Sequence, residues 1–308
     1  MSRNDRNLVL TTRRFVTVAA LVSLGLSTTV KAELVITGVG EDLARNVRSY
    51  TSIAAEPCNA ESWRIRRRFR ALDREARRAL EPYGYYQAVI TSSLRFESEC
   101  WIAELNIAPG EPVQLRNVDI RIAGAAQADQ GFEELLRHPS LTSGQRLEHA
   151  AYERYKRNLQ ITAADRGYVE AGFATSRIDV WPDESAADID LQFDSGPRYD
   201  LGDISYEQTF LTPRLVEGYM NLESGTPFDR SALSDAHSNL SDSGYFSRIQ
   251  LFPDFEAATD GRIPLRVELE PSTRIEYSFG AGFSTDTGAR FRAGFRNNRI
   301  NKRGHRLK

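Results

Sequence analysis

The stretch SGTPFDRSALSDAHSNLSDSGYFSRIQLF, residues 224–252, decides the fold. Asp229 stands where a helix N-cap belongs, and Leu233, Ala236 and Leu240 recur at the spacing of one helical face. Gly244 ends that helix, because a left-handed capping position favours glycine. Strands are expected over 246–252 and 262–269. Upstream, residues 201–206 read as a strand. Thr212 is placed to cap a second helix that has Pro213 in its first turn and Leu215, Tyr219 and Leu222 on one face. The order is strand, helix, helix, strand, strand.

The Gly-Tyr step that closes this helix occurs three times, as Gly84-Tyr85, Gly167-Tyr168 and Gly244-Tyr245. Each follows an amphipathic helix and precedes two strands, and internal repetition of this kind fixes architecture before any single residue does. In the first repeat, residues 34–39 are an expected strand and Leu43, Val47 and Tyr50 mark a helix. A longer helix carries Ile65, Phe69, Leu72, Ala76 and Leu80, and strands are expected over 85–96 and 100–107. Seven arginines fill the opposite face of the long helix, which reads as a solvated face salted with Asp73 and Glu75. In the second repeat the strand is 115–122 and the short helix 130–137. The long helix, 148–166, shows Ala151, Tyr155, Leu159 and Ala163, and strands follow at 173–181 and 187–193. The fold class is α+β, in three tandem β-α-α-β-β modules. Short Pro/Gly joints at 109–112, 195–197 and 271–272 leave little hinge freedom between them.

The tail changes period. Ile275, Tyr277, Phe279, Ala281 and Phe283 face one side of a strand, and Glu276, Ser278, Gly280 and Gly282 the other. After a turn at 284–288, Ala289, Phe291, Ala293 and Phe295 alternate with Arg290, Arg292, Gly294 and Arg296. Apolar-out, polar-in strands of about ten residues are what a transmembrane β-barrel requires.

Gly225-Thr-Pro-Phe-Asp229, a helix, then Ser243-Gly-Tyr-Phe246 and an alternating strand resembles the polypeptide-transport-associated (POTRA) domain. Three such modules ahead of the 280–288 hairpin, with Gly304-His305 beyond it, resemble the TamA family of the Omp85 superfamily. The resemblance implies modules at 33–111, 112–197 and 198–271, with a barrel opening at 272–308. The resemblance also implies a barrel of sixteen strands, and open edges are not tolerated in lipid, so the sequence is expected to be a piece of a longer protein.

Composition agrees with export. Arg13 and Arg14 precede an apolar run at 15–26, and small residues at Val30 and Ala32 suit cleavage, so residues 1–32 read as a signal peptide. The formal net charge of the whole chain is −2. The segment 33–271 is acidic, which argues against nucleic acid, while 272–308 is basic. Cys58 and Cys100 would meet an oxidising compartment and form a disulfide; two separately buried thiols are the alternative.

No enzyme motif emerges. His138, His149, His237 and His305 lack metal-ligand spacing, and no cofactor or metal is expected. Asp183, Glu184, Asp188 and Asp190 read as a solvated turn. What remains is binding through backbone: the POTRA resemblance implies that the second strand of each module lies at a sheet edge, so 89–94, 178–181 and 249–251 are candidate edges for an extended segment, unless neighbouring modules cover them or charge blunts them. The resemblance implies an outer-membrane protein with a periplasmic arm. It would insert β-barrel and autotransporter clients, and work with an inner-membrane-anchored TamB-like partner and outer-membrane lipid. The alternatives are a soluble periplasmic strand-binding scaffold or another Omp85-type transporter.

Overall fold

The structure, a computed structural model, describes residues 32–97, 100–137, 139–286 and 288–307. The expected signal peptide lies outside them but for Ala32.

Three units repeat one topology. The first has β1 (Glu33–Thr37), α1 (Glu41–Tyr50), α2 (Ser62–Leu80), β2 (Val89–Glu97) and β3 (Cys100–Ala108). Its last strand is central: the sheet order is β1-β3-β2, with β1 parallel to β3 and β2 antiparallel. Parallel neighbours need a crossover, and the helix pair supplies it. The second unit has β4 (Gln114–Ala123), α3 (Gln130–Arg137), α4 (His149–Asp165), β5 (Gly172–Trp181) and β6 (Ala186–Asp194), ordered β4-β6-β5. The third has β7 (Asp200–Glu207), α5 (Pro213–Met220), α6 (Arg230–Asp242), β8 (Phe246–Pro253) and β9 (Arg262–Pro271), ordered β7-β9-β8. A fourth sheet is the antiparallel pair β10 (Ile275–Ser284) and β11 (Gly288–Asn297).

Each unit has its own core between helices and central strand. In the first, Ile65, Leu72, Ala76 and Leu80 of α2 meet Trp101, Leu105 and Ile107 of β3. In the second, Phe132 stacks on Phe193 and meets Tyr168 edge-on. In the third, Val216, Phe228, Leu240 and Val267 are buried together.

Four local expectations need correction. Helix α2 stops at Leu80, and a 3-10 turn over Glu81–Tyr83 precedes Gly84. The strand expected from residue 85 begins at Val89, because the Tyr85 amide closes the helix end on the Leu80 carbonyl and Tyr86 leaves for the second unit. The buried stripe of α4 runs through Tyr152 rather than Ala151, which is only half-buried. Thr212 makes no side-chain cap, whereas the Asp229 carboxylate accepts from the Ser231 amide.

Candidate functional site

Strands β2, β5 and β8, which contain the three candidate edges, are outer strands of their sheets. One side of each backbone ladder is therefore unpaired within its sheet. Each outer strand also ends near an exposed aromatic ring covered by a guanidinium. Arg66 lies 5.1 Å over Phe96, Arg116 4.5 Å over Trp181 and Arg266 5.1 Å over Phe252.

The three Gly-Tyr steps lie at the joints between units. Gly84, Gly167 and Gly244 all have left-handed backbones, with φ of 86°, 81° and 66°. The Gly84 carbonyl accepts from the Val113 amide at 2.8 Å, and the Gly167 carbonyl accepts from the Tyr199 amide at 2.9 Å. Both donors open the next unit. That unit's own connector returns to the same place: Leu147 donates to the Val113 carbonyl and Phe228 to the Tyr199 carbonyl. Residues 142–148 and 223–229 are thus equivalent, a repeat marked in the sequence by Ser143-Gly144 and Ser224-Gly225, by Leu147 and Phe228, and by the acids Glu148 and Asp229.

Charge reinforces the second joint. Asp129 is nearly buried and accepts from the Tyr168 hydroxyl and the Gly131 amide, each at 2.9 Å. Arg166 Nε sits 2.6 Å from it, off the line of a directed hydrogen bond, so the contact is an ion pair. Arg198, which opens the third unit, stands 3.5 Å from Asp129 and donates to the carbonyls of Arg166 and Phe228. Burial pushes the Asp129 carboxyl up, but Arg166, the Gly131 amide and Tyr168 outweigh it and hold its pKa below the usual value. Burial, with the Asp129 carboxylate beside it, pushes the Tyr168 hydroxyl up to about 12 against the pull of Arg198 and Arg166. We expect Asp129→Asn to destabilise the chain by about 3 kcal/mol, because partly buried Arg198 loses its acidic partner and Arg166 keeps only Asp229, 3.6 Å away. Urea unfolding against wild type measures this.

The first joint carries a titratable contact instead. Tyr86 Oη and His149 Nε2 are hydrogen-bonded at 2.8 Å, and Arg146 lies over the Tyr85 ring. Burial lowers the His149 pKa, with Glu81 and Glu153 pulling the other way. A lowered histidine pKa means the folded chain binds fewer protons than the unfolded one. Stability from this group is therefore full above about pH 6.5 and declines as pH falls through that value. The Asp129 contribution is lost only further down, below about pH 4. Melting curves should show the wild type losing stability between pH 7.5 and 5.5 more steeply than His149→Gln.

At the third joint, Ser272 donates its amide to the Tyr245 carbonyl and its hydroxyl to that of Gly244. The segment after β11 then returns to this point. Thr212 donates its amide to the Lys302 carbonyl, Arg299 covers Phe210 at 4.5 Å, and Arg306 covers Tyr245 at 3.9 Å. The hairpin itself keeps its alternation in space. Tyr277 pairs with Phe295, Phe279 with Ala293 and Ala281 with Phe291, while Glu276 opposes Arg296 and Gly280 opposes Arg292. Phe279, Phe283 and Phe291 are each about four-fifths exposed.

Cys58 and Cys100 form a disulfide, with their Cα atoms 4.4 Å apart. Arg116 pairs with Glu184 and Asp188 at the acidic turn. Among the described residues no group of His, Cys, Asp or Glu is arranged to hold a metal ion. No described helix is long and apolar enough to cross a membrane, which says nothing of strands.

Residues 33–109 match a family model described as POTRA domain TamA domain 1. The fold is accordingly mixed α+β with POTRA-like β-α-α-β-β repeats. Among solved structures, the chain is similar to Haemophilus influenzae BamA POTRA3-5, at 16% identity and a TM-score of 0.41, over 80% of this chain and 100% of that one. It is also similar to BamA from Haemophilus ducreyi lacking POTRA domains 1-3, at 21% identity and a TM-score of 0.49, over 62% of this chain. For CdiB from Acinetobacter baumannii the figures are 13% and 0.37, over 61% of this chain. The matched region spans 36% of the length of each of the last two structures.

Proposed function

We propose that the chain is the periplasmic arm and opening hairpin of an outer-membrane protein that assembles β-structured clients into or across the outer membrane. The observation that carries this reading is the β10–β11 hairpin. One of its faces is a row of exposed aromatic and small apolar side chains, and the other is polar and charged. Such a face is costly in water and suited to lipid. The open edges of the three sheets support the other half of the reading. An extended client can add to them through main-chain hydrogen bonds, without sequence-specific contacts.

In finer detail the protein is TamA-like. A signal peptide at 1–32 directs export, POTRA modules occupy 33–111, 112–197 and 198–271, and a barrel begins at 272. Clients include β-barrel and autotransporter proteins, and an inner-membrane-anchored TamB-like protein is the partner. The match of residues 33–109 favours this version. The arm acts as a scaffold, not a catalyst: free energy comes from strand pairing and from apolar burial in lipid. In this reading the first barrel strand, β10, forms one side of a weak lateral seam at which a client strand pairs.

Photo-crosslinking residues placed at Thr91, Ile178, Gln250 and Glu276 test the reading in cells that overproduce an outer-membrane protein. Crosslinks to the unfolded client at the module edges and at Glu276 are expected. Crosslinks at the edges alone favour a strand-binding scaffold, and crosslinks at none of the four positions would refute both readings.

A further inference from the structure

Helix α2 carries eight arginines and only two acids, and the structure places those acids away from the helix's outer face. Asp73 accepts from the Ser92 hydroxyl at 2.7 Å, and Glu75 accepts from the amide and hydroxyl of Ser52 at 2.7 and 3.0 Å. Both are tied inside the module, so neither neutralises the solvent side. Four of the arginines are occupied too. Arg64 and Arg68 share Glu56, Arg66 covers Phe96, and Arg77 donates to the Ala88 carbonyl. The other four, Arg67, Arg70, Arg74 and Arg78, are exposed and have no acidic partner within ion-pair distance among the described residues. Steps of three and four put them on one stripe, about 16 Å long at the rise of an α-helix. One turn ahead of Arg67 on the same line stands Trp63, 58% exposed, with its indole N–H on Glu61.

We propose that this stripe docks the first module onto the anionic phospholipid headgroups of a bilayer. The face is a convex helix surface, which suits a flat array of charges better than a single enclosed ligand. Guanidinium groups pair with phosphate in a bidentate manner, and a neighbouring tryptophan is a side chain that settles at headgroup level. Ile65, Leu72, Ala76 and Leu80 on the opposite face are fully buried in the module core. Contact is therefore peripheral, by charge and one ring, without insertion of the helix. This goes beyond the proposed function, which uses sheet edges and the hairpin but not α2.

Vesicle flotation of the full chain tests it. The hairpin and its basic flank also bind vesicles and are the same in every variant, so the readout is the change, relative to wild type, in the ratio of partition into vesicles with roughly 30% phosphatidylglycerol to partition into pure phosphatidylcholine. The wild-type ratio should stand well above one at about 50 mM salt and collapse at about 500 mM. Substituting R67Q, R70Q, R74Q and R78Q together should lower the ratio by at least about tenfold. The matching lysine variant keeps the charge and controls for folding; it gives up the bidentate geometry but not the attraction per charge, and should stay within about threefold of wild type. R154Q with R157Q, on the exposed face of α4, should leave the ratio unchanged. The proposal is overturned if the glutamine variant keeps its ratio, or if the α4 variant loses as much. It is equally overturned if the wild type ignores anionic vesicles yet binds a glutamate-rich peptide through the same arginines, which would make the stripe a protein dock.

Discussion

Replacing Gly167 by alanine costs the chain about 3 kcal/mol and loosens the joint between the second and third units. Two terms add. The backbone there is left-handed, at φ +81°, which penalises a β-carbon by about 1–2 kcal/mol. The added carbon would also lie 2.8 Å from Phe228 Cβ and 2.9 Å from the Tyr199 carbonyl oxygen. Neither atom can swing aside, because both belong to or adjoin backbone that makes the joint's own hydrogen bonds. Relief therefore requires the units to separate, at a further cost of about 1–3 kcal/mol. An internal control exists: Gly261 has φ +72° and nothing within 4 Å of the added carbon. Gly261→Ala should cost only the backbone term. Calorimetry on the two variants separates strain from crowding, and equal losses would show that Gly167 is merely a cap.

Removing the Cys58–Cys100 bond with a double alanine substitution should be the other large loss. The bond closes a loop with a sequence separation of 42, and cross-links of this span stabilise by about 2–4 kcal/mol, chiefly by restricting the unfolded chain. It ties the loop before α2 to the start of β3, where the Trp101 indole N–H also donates to the Pro57 carbonyl. For a unit of this size, the melting transition should fall by about 10–20 °C. The transitions of the second and third units should move much less, since their cores are separate. A uniform fall of all transitions would mean that the units unfold as one body.

Much of this was legible in the sequence, for identifiable physical reasons. Helix α3 is read to the residue because its apolar positions are helical and Pro139 stops it. The β10 and β11 alternation is legible because a period of two depends on nothing beyond the strand itself. What depends on distant partners was not. Tyr85 and Tyr86 look like strand residues, and only the presence of Arg146 and His149 shows why they are not. The Gly-Tyr steps read as helix ends, which is a local property. Their service as joints depends on Val113 and Tyr199, well downstream. From the sequence the arginine face of α2 reads as a solvated face salted with Asp73 and Glu75, because a sequence does not show that those acids point to Ser92 and Ser52.

The most direct test of the central claim, that β10 and β11 open a lipid-embedded barrel, is accessibility labelling in the native outer membrane. Single cysteines at Phe279, Gly280, Phe291 and Arg292 would be probed with a membrane-impermeant maleimide. The account predicts that Gly280 and Arg292 react and that Phe279 and Phe291 are protected, in step with the alternation of the two strands. Equal reactivity at all four positions would contradict it and place the hairpin in water.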